Sequence, residues 1–474
     1  MSDYDAIIIG SGPNGLAAAI TLARTGASVA VFEGQKAPGG ATRSCEMTLP
    51  GFVHDVGSAI HPMAVCSPFM AAIADELAID WVHPEIDAAH PLDDGSAGIF
   101  CRSIDETVAG MTPHDAKAYR RLLEGPVANA DKLFGDLMGP LGIPKHPVAA
   151  GLFGMRTLSP ALGLARRQFE SENTRAMFAG HAAHSVMPLD RPLTTSAIAL
   201  MLMIAGHHAG WPFPRGGAGK IGDAMAAYLK RLGGEIFCNH PVESLDALPK
   251  AKAYLFDTAP RNLARIAGDR LPAAYRRKLN AYRHGPGIFK IDYALSEPVP
   301  WTNPETRRAA TVHLGGTLDE IATGEREVYY GRHTENPFVL SAQPTIADPT
   351  RAPQGKHTFW AYCHVPHGST RDMTDAIETQ IERFAPGFRD TILKKATANT
   401  AELEAFNPNL VGGDIVGGIA DWRQLFSRPV SLFAPYSTPA EDLFICSAST
   451  PPGGGVHGMG GYHAAQRVLK TRLA

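Results

Sequence analysis

Gly10, Gly12 and Gly15 stand at G-x-G-x-x-G spacing within GSGPNG, and Glu33 follows about 20 residues on, where a carboxylate can accept the ribose hydroxyls of an adenosine. These residue types bind a dinucleotide; they do not react with it. The first glycine makes a tight turn, the second lets backbone approach a pyrophosphate, and the third lets the following helix pack on a strand. A carboxylate at Glu33, with Gly34 beside it, disfavours a 2'-phosphate on the ribose. Cys45, Cys66, Cys101, Cys238, Cys363 and Cys446 are scattered and contain no C-x-x-C pair, so neither a redox dithiol nor a bound metal is expected.

The elements that must hold those glycines are legible around them. DAIIIG (5–10) is a continuous apolar run, as in a strand buried on both faces of a parallel sheet. After Pro13 a helix runs from about Asn14 to Thr25, with Leu16, Ala19, Ile20 and Ala23 at helical spacing and Gly26 where a left-handed cap is needed. SVAVF (28–32) is the second strand, and Glu33 ends it. A strand, glycine turn, capped helix, second strand and acid in register make a Rossmann-type unit, for which NAD and FAD are both open at this point. PGGATR (38–43) adds a second glycine pair, Gly39 and Gly40 followed by Ala41 and Thr42, where the chain could pass close to a longer cofactor. Far downstream, DLFICSASTPPGGGVHGMGGYH (442–463) reads as a strand, a glycine-dense turn and the start of a helix.

With these motifs the sequence resembles the amine oxidase and phytoene desaturase flavoprotein superfamily, and within it the bacterial phytoene desaturase-like group that includes pyridine nucleotide-disulfide oxidoreductase domain-containing protein 2. NPNLVGG (407–413), RQLFSRP (423–429), RFAPGF (383–388) and FPRGGAGKIGDAM (213–225) extend the likeness over most of the chain outside residues 71–193. The resemblance implies FAD as cofactor and an α/β fold, with a Rossmann-type FAD-binding domain built from discontinuous segments (1–70, 211–270 and 411–474) and an α+β substrate domain (71–210 and 271–410). It implies ring contacts from Gly57, Ser58 and Ala59 in DVGSAIH, adenine-side contacts from Val242, Thr258 and Ala259, and a backbone lining of Gly455, Val456 and Met459. Unpaired N–H groups at that last helix start would stabilise charge developing on the ring. His61, His457 and Tyr462 are then the polar groups expected nearest substrate. Two departures stand out: Cys446, Ser447, Ala448 and Ser449 occupy the place of a Gly-Asp or Gly-Ala pair, and residues 241–260 are too short for the usual strand meander.

Composition excludes other classes. A net charge of -3 gives no drive toward nucleic acid, and the basic run from Arg261 to Arg283 reads as solvated helix faces, with anionic lipid as the alternative. No stretch reaches the roughly 20 apolar residues of a membrane span. LTTSAIALMLMIAG (193–206) suits a core helix or an interfacial segment. The early first strand leaves no room for a signal peptide, so a reducing cytoplasm is expected, with peripheral membrane contact as a further option. A second nucleotide fingerprint is missing, and no NAD(P)H domain is expected. The expected activity is desaturation, oxidation or isomerisation of a hydrophobic, carotenoid- or lipid-like substrate, with oxygen, a quinone or another carrier as electron acceptor. The rivals are a peroxide-forming amine or amino-acid oxidase, recognisable by an Arg or an aromatic pair, and a flavin- or lipid-binding protein without turnover.

Overall fold

The computed structural model describes residues 3–474; the first two residues of the expected 1–70 segment lie outside that range. Five parallel strands make one sheet, in spatial order Leu443–Ile445, Ala251–Phe256, Tyr4–Ile9, Val29–Phe32 and Glu235–Phe237. Ile8 pairs with Leu255 on one side and Val31 on the other, and these pair with Phe444 and Ile236. Every residue in the middle of that row is apolar and buried, as expected for a sheet covered on both faces. Helices Pro13–Ala23, Gly219–Arg231 and Met459–Thr471 cover one face, and Pro260–Ala267 covers the other. The first helix spans Pro13–Ala23, two residues short of the expected end, and Gly26 has φ +86° just beyond it. Between residues 241 and 250 only a short 3-10 turn, Leu245–Ala247, stands in place of a meander.

A second, mixed sheet of seven strands lies beside the first, in the order Ile392–Ala398, Gly287–Leu295, His357–Val365, Val339–Ala342, Ala309–Leu314, Ile86–Pro91 and Ala97–Phe100. Its two faces differ in chemistry. Phe289, Ile291, Phe359, Ala361 and Cys363 pack against Ile377 and Ile381 of the helix Thr374–Phe384. The register puts Lys290 opposite Tyr362, Asp292 opposite Trp360 and Trp360 opposite Ala342, so these side chains share the other face. That face meets a layer of helices that includes Glu172–Ala183 and Thr194–Ala209.

The helix Thr194–Ala209 is a core element: Ala199, Leu200, Met203 and Ile204 are buried, and it packs on neighbouring helices along most of its length. The basic run is spent largely on surface ion pairs, Arg261 with Glu404, Arg265 with Glu243, Arg270 with Asp442 and Arg276 with Asp269. All six cysteines are free. Among the described residues no helix is long and apolar enough to cross a membrane.

Candidate functional site

The strand Tyr4–Ile9 runs out at Gly10, whose φ of +97° is open to glycine and strained for other residues. A Cβ at Gly15 would lie 2.2 Å from the Gly10 carbonyl oxygen, and one at Gly12 would lie 2.6 Å from Asp257 Oδ2. Neither position admits a side chain. The Gly15 N–H donates to Asp257 Oδ2 at 2.9 Å, so a carboxylate at the end of the neighbouring strand caps the nucleotide helix. Burial pushes the Asp257 carboxyl up to about 7; the Gly15 bond opposes this, and the Glu33 charge adds to it.

Glu33 ends the second strand buried. Its Oε2 accepts from the Ser11 N–H (2.9 Å) and Ser11 Oγ (2.5 Å), and its Oε1 accepts from the Gln35 N–H (2.8 Å). A carboxylate offers about four acceptor positions. Three are engaged within the chain, leaving room for one ribose hydroxyl rather than two unless Ser11 gives way. Gly34 beside it is exposed.

The second glycine pair folds back onto the first. A Cβ on Gly40 would fall 2.8 Å from Gly12 Cα, and the Thr42 hydroxyl closes the turn on the Gly39 carbonyl at 2.8 Å. The Ala41 carbonyl accepts the Ser58 N–H at 3.1 Å, and a Cβ on Gly57 would sit 2.5 Å from the same oxygen. The expected 40–42 and 57–59 segments therefore form one wall, with Gly57 exposed and Ala59 buried.

At the other end, Gly453, Gly455 and Gly458 hold positive φ. Arg428, from RQLFSRP, is buried and donates to the carbonyls of Gly417 (2.8 Å) and Ala448 (3.1 Å), tying two turns together under this loop. Asn409, from NPNLVGG, accepts the Ala259 N–H at 2.8 Å and donates to the Asp257 carbonyl at 3.2 Å. Those motifs are scaffolding. The helix Met459–Thr471 packs so closely on Pro13–Ala23 that a Cβ at Gly461 would lie 1.8 Å from the Asn14 carbonyl oxygen, and the Gly461 N–H points at Asn14 Oδ1 at 3.4 Å. The N-terminal ends of two helices thus meet close to the glycine turns.

Of the polar groups expected nearest substrate, His61 shares a 3.2 Å contact with Ser58 Oγ, and His457 Nδ1 accepts the Met459 N–H at 3.1 Å as a helix cap. Burial pushes both imidazoles down to about 4, so both are neutral at pH 7. His61 Nδ1 and His457 Nε2 are buried without a protein partner. Tyr462 packs its ring near Phe69 on the last helix. No hydrogen bond joins these three to one another. Thr258 and Ala259 lie directly after Asp257, with Thr258 Oγ1 buried and unpartnered, while Val242 packs with Phe32 under the sheet edge. Gly455 is exposed, Val456 half-buried and Met459 buried at the helix start.

Sequence reasoning missed Ser11, Asp257 and Lys290. Lys290 is buried on the large sheet, donates to the Asp55 carbonyl at 3.0 Å and pairs with Asp292. Asp55 in turn holds Arg351 at 2.8 Å and the Ala218 N–H at 2.8 Å. A lysine in the apolar run GIFKIDYAL was the available signal, since burial demands a partner for its charge.

The donor set fits FAD. Close-packed glycines at the N-terminus of the first helix suit a pyrophosphate, Glu33 can take a ribose hydroxyl, and the exposed glycines 454 and 455 leave backbone bare for a flat ring. The family described as flavin containing amine oxidoreductase matches residues 14–269. Pyridine nucleotide-disulfide oxidoreductase domain-containing protein 2 of Mus musculus is 24% identical over 99% of this chain and 94% of its own length. A lycopene-forming phytoene desaturase from a Paracoccus species is 22% identical over 99% of this chain and 98% of its own. The structure of an oxidoreductase from Methanosarcina mazei superposes with a TM-score of 0.65 at 18% identity, covering 98% of this chain and 99% of that one. This chain belongs to the flavin containing amine oxidoreductase family, and it is an FAD-dependent oxidoreductase of the amine oxidase and phytoene desaturase superfamily.

Proposed function

We propose that this enzyme desaturates, oxidises or isomerises a hydrophobic, polyene- or lipid-like molecule. One observation carries the reading: a single apolar cluster runs from Phe69 and Met459 beside the glycine loop, through Leu200 and Met203, to Leu340 and Trp360 on the large sheet. The side chains packed around that loop are aliphatic and aromatic groups and neutral imidazoles, surroundings that favour an apolar molecule. The full-length likeness to phytoene desaturases supports the same substrate class.

Bound FAD supplies a two-electron hydride acceptor. The chain's own contribution is to orient and enclose. The glycine-rich backbone of residues 453–458 would lie against the ring, ahead of a helix start whose Met459 N–H is already held by His457. His61 and His457, neutral at pH 7, can hydrogen-bond substrate without charging the site. Lys290 places a buried cation against the segment that leads into Gly57, its charge balanced by Asp292.

A second reading has its own support. Trp360 and Tyr362 lie parallel, 5.9 Å apart and 2° from coplanar orientation, on the Lys290 face. An aromatic pair is what the amine-oxidase reading looks for, and this one supports it. Anaerobic titration of the holoenzyme with phytoene in detergent, and separately with primary amines, distinguishes the two. Loss of flavin absorbance with the polyene or another lipid, or its isomerisation without bleaching, and no bleaching with amines, is expected. Bleaching by amines with peroxide release in air overturns the hydrophobic-substrate reading, and a flavin reduced by dithionite but by neither class, with no isomer of the polyene formed, favours a protein without turnover.

A further inference from the structure

Two surface segments are apolar, exposed and devoid of acid. No Asp or Glu occurs between Asp136 and Glu170, or between Asp421 and Glu441, although 47 acidic residues are spread over 474 positions. In the first segment Val148, Leu152 and Met155 line the outer face of the helix Pro147–Thr157 at helical spacing, with Leu158 after them and Ile143, 98% exposed, in the loop before. Phe153 fills the inner face, and the helix carries one charge, Arg156, turned toward the Arg121 carbonyl. In the second, Trp422 and Phe426 are exposed, and Phe433 is 95% exposed.

The two segments are neighbours. Ser196 Oγ donates to the carbonyls of Thr157 (3.1 Å) and Ser159 (2.6 Å), while Thr194 Oγ1, at the same end of that helix, donates to the Ala420 carbonyl (2.6 Å). Both also abut the glycine loop: His463 donates to the Met138 carbonyl at 3.1 Å and stacks on Tyr436, whose hydroxyl donates to the Pro451 carbonyl at 3.0 Å. Cations rim this patch. Lys145 and Arg423 make no ion pair among the described residues, and Arg423 lies over Trp422.

We propose that residues 137–169 and 422–440 form one docking face for an anionic lipid bilayer. An apolar helix beside unpaired Lys and Arg, with an exposed Trp, is the make-up of an element that lies in a membrane interface. The 11-residue helix Pro147–Thr157 reaches about 16 Å, half the hydrocarbon thickness, and meets Ala161–Gln168 at 91°, so it rests on the bilayer and does not cross it. A second copy of the chain fits less well, because a two-fold contact would set the unpaired cations Lys145 and Arg423 of each copy against the same cationic face of the other. This places the membrane contact on exposed helices, away from the buried Thr194–Ala209, and it stands whether or not the substrate is a lipid.

The test is flotation of the holoprotein with phosphatidylcholine vesicles, with and without phosphatidylglycerol. Flotation with the anionic vesicles is expected, weakened by salt, lost in V148S/L152S/M155S, and reduced about 30-fold in affinity in K145A/R423A, since each surface cation near an anionic leaflet contributes about a factor of five. The flavin spectrum of each variant reports retained fold. Quenching of Trp422 by brominated lipid, read as the difference from W422F, checks the contact without altering the apolar face. Wild-type protein that stays unfloated and unquenched with both vesicle types overturns the proposal, as does a dimer that dissociates in V148S/L152S/M155S while no variant binds vesicles.

Discussion

Replacing Asp257 by Asn should make the protein more stable at neutral and alkaline pH. Asp257 sits buried under the glycine loop, its Oδ2 taking the Gly15 N–H, and its carboxyl is pushed up to about 7 by burial. Against an ordinary value of 3.8 this is a linkage of about 4 kcal/mol. The sign follows from proton counting. Between pH 4 and 7 the unfolded chain has released this proton while the folded chain keeps it, so stability falls as pH rises through that window and is flat above it. Asn keeps an acceptor for Gly15 and removes the charge. Near pH 8 the variant should exceed the wild type by about 3 kcal/mol in urea unfolding of the apoprotein, and near pH 4 the two should agree within about 1 kcal/mol. The same carboxylate faces the place proposed for the pyrophosphate, so wild-type affinity for FAD should weaken as pH rises above about 7, and that of D257N should not. A variant that gains no stability between the acidic and alkaline limits would refute the claim that Asp257 carries the buried charge.

Other expectations follow from single contacts. Glu33→Ala should weaken FAD binding about 10- to 100-fold, read by equilibrium dialysis, but part of that loss would come from freeing Ser11; Ser11→Ala measures that share, and E33A with unchanged affinity removes Glu33 from the site. Lys290→Met should cost about 3–5 kcal/mol by leaving Asp292 buried and unpaired, whereas K290M/D292L should recover most of it; additive losses in the cycle would contradict the pairing. Gly461→Ala should separate the first and last helices and lower both the melting temperature and flavin content, because its Cβ would fall 1.8 Å from the Asn14 carbonyl. His61 and His457, held near 4, should contribute a loss of stability as pH falls from about 6.5 to about 4, and H61F/H457F should flatten that limb of the melting curve.

The N-terminal unit was legible because its elements are local: strand, glycine turn, helix and Glu33 are contiguous, and each residue type answers a backbone demand. The C-terminal loop was legible for the same reason. What escaped were partners brought together from afar. Asp257 meets Gly15 across 242 positions, and Lys290 meets Asp55 across 235; sequence spacing carries no trace of such meetings. Glu33 illustrates the limit from within a correct motif, since the competing donors on Ser11 lie inside the glycine loop itself. The helix Thr194–Ala209 and the helix Pro147–Thr157 are both apolar, and only the surrounding packing tells which is core.

The central strand Tyr4–Ile9 pairs with Ala251–Phe256, and that strand with Leu443–Ile445. During synthesis the first strand must therefore wait, half-paired, until Ala251–Phe256 emerges, and that strand in turn stays half-paired until Leu443–Ile445 has left the ribosome. Closing such loops is slow, and an exposed parallel edge in the meantime invites aggregation. Cofactor loading belongs after translation, when the last helix seats its Gly461 against Asn14 and completes the cradle. Yield of soluble holoprotein should accordingly depend on chaperone capacity and flavin supply late in expression, and a chain cut before residue 443 should accumulate as insoluble, colourless protein.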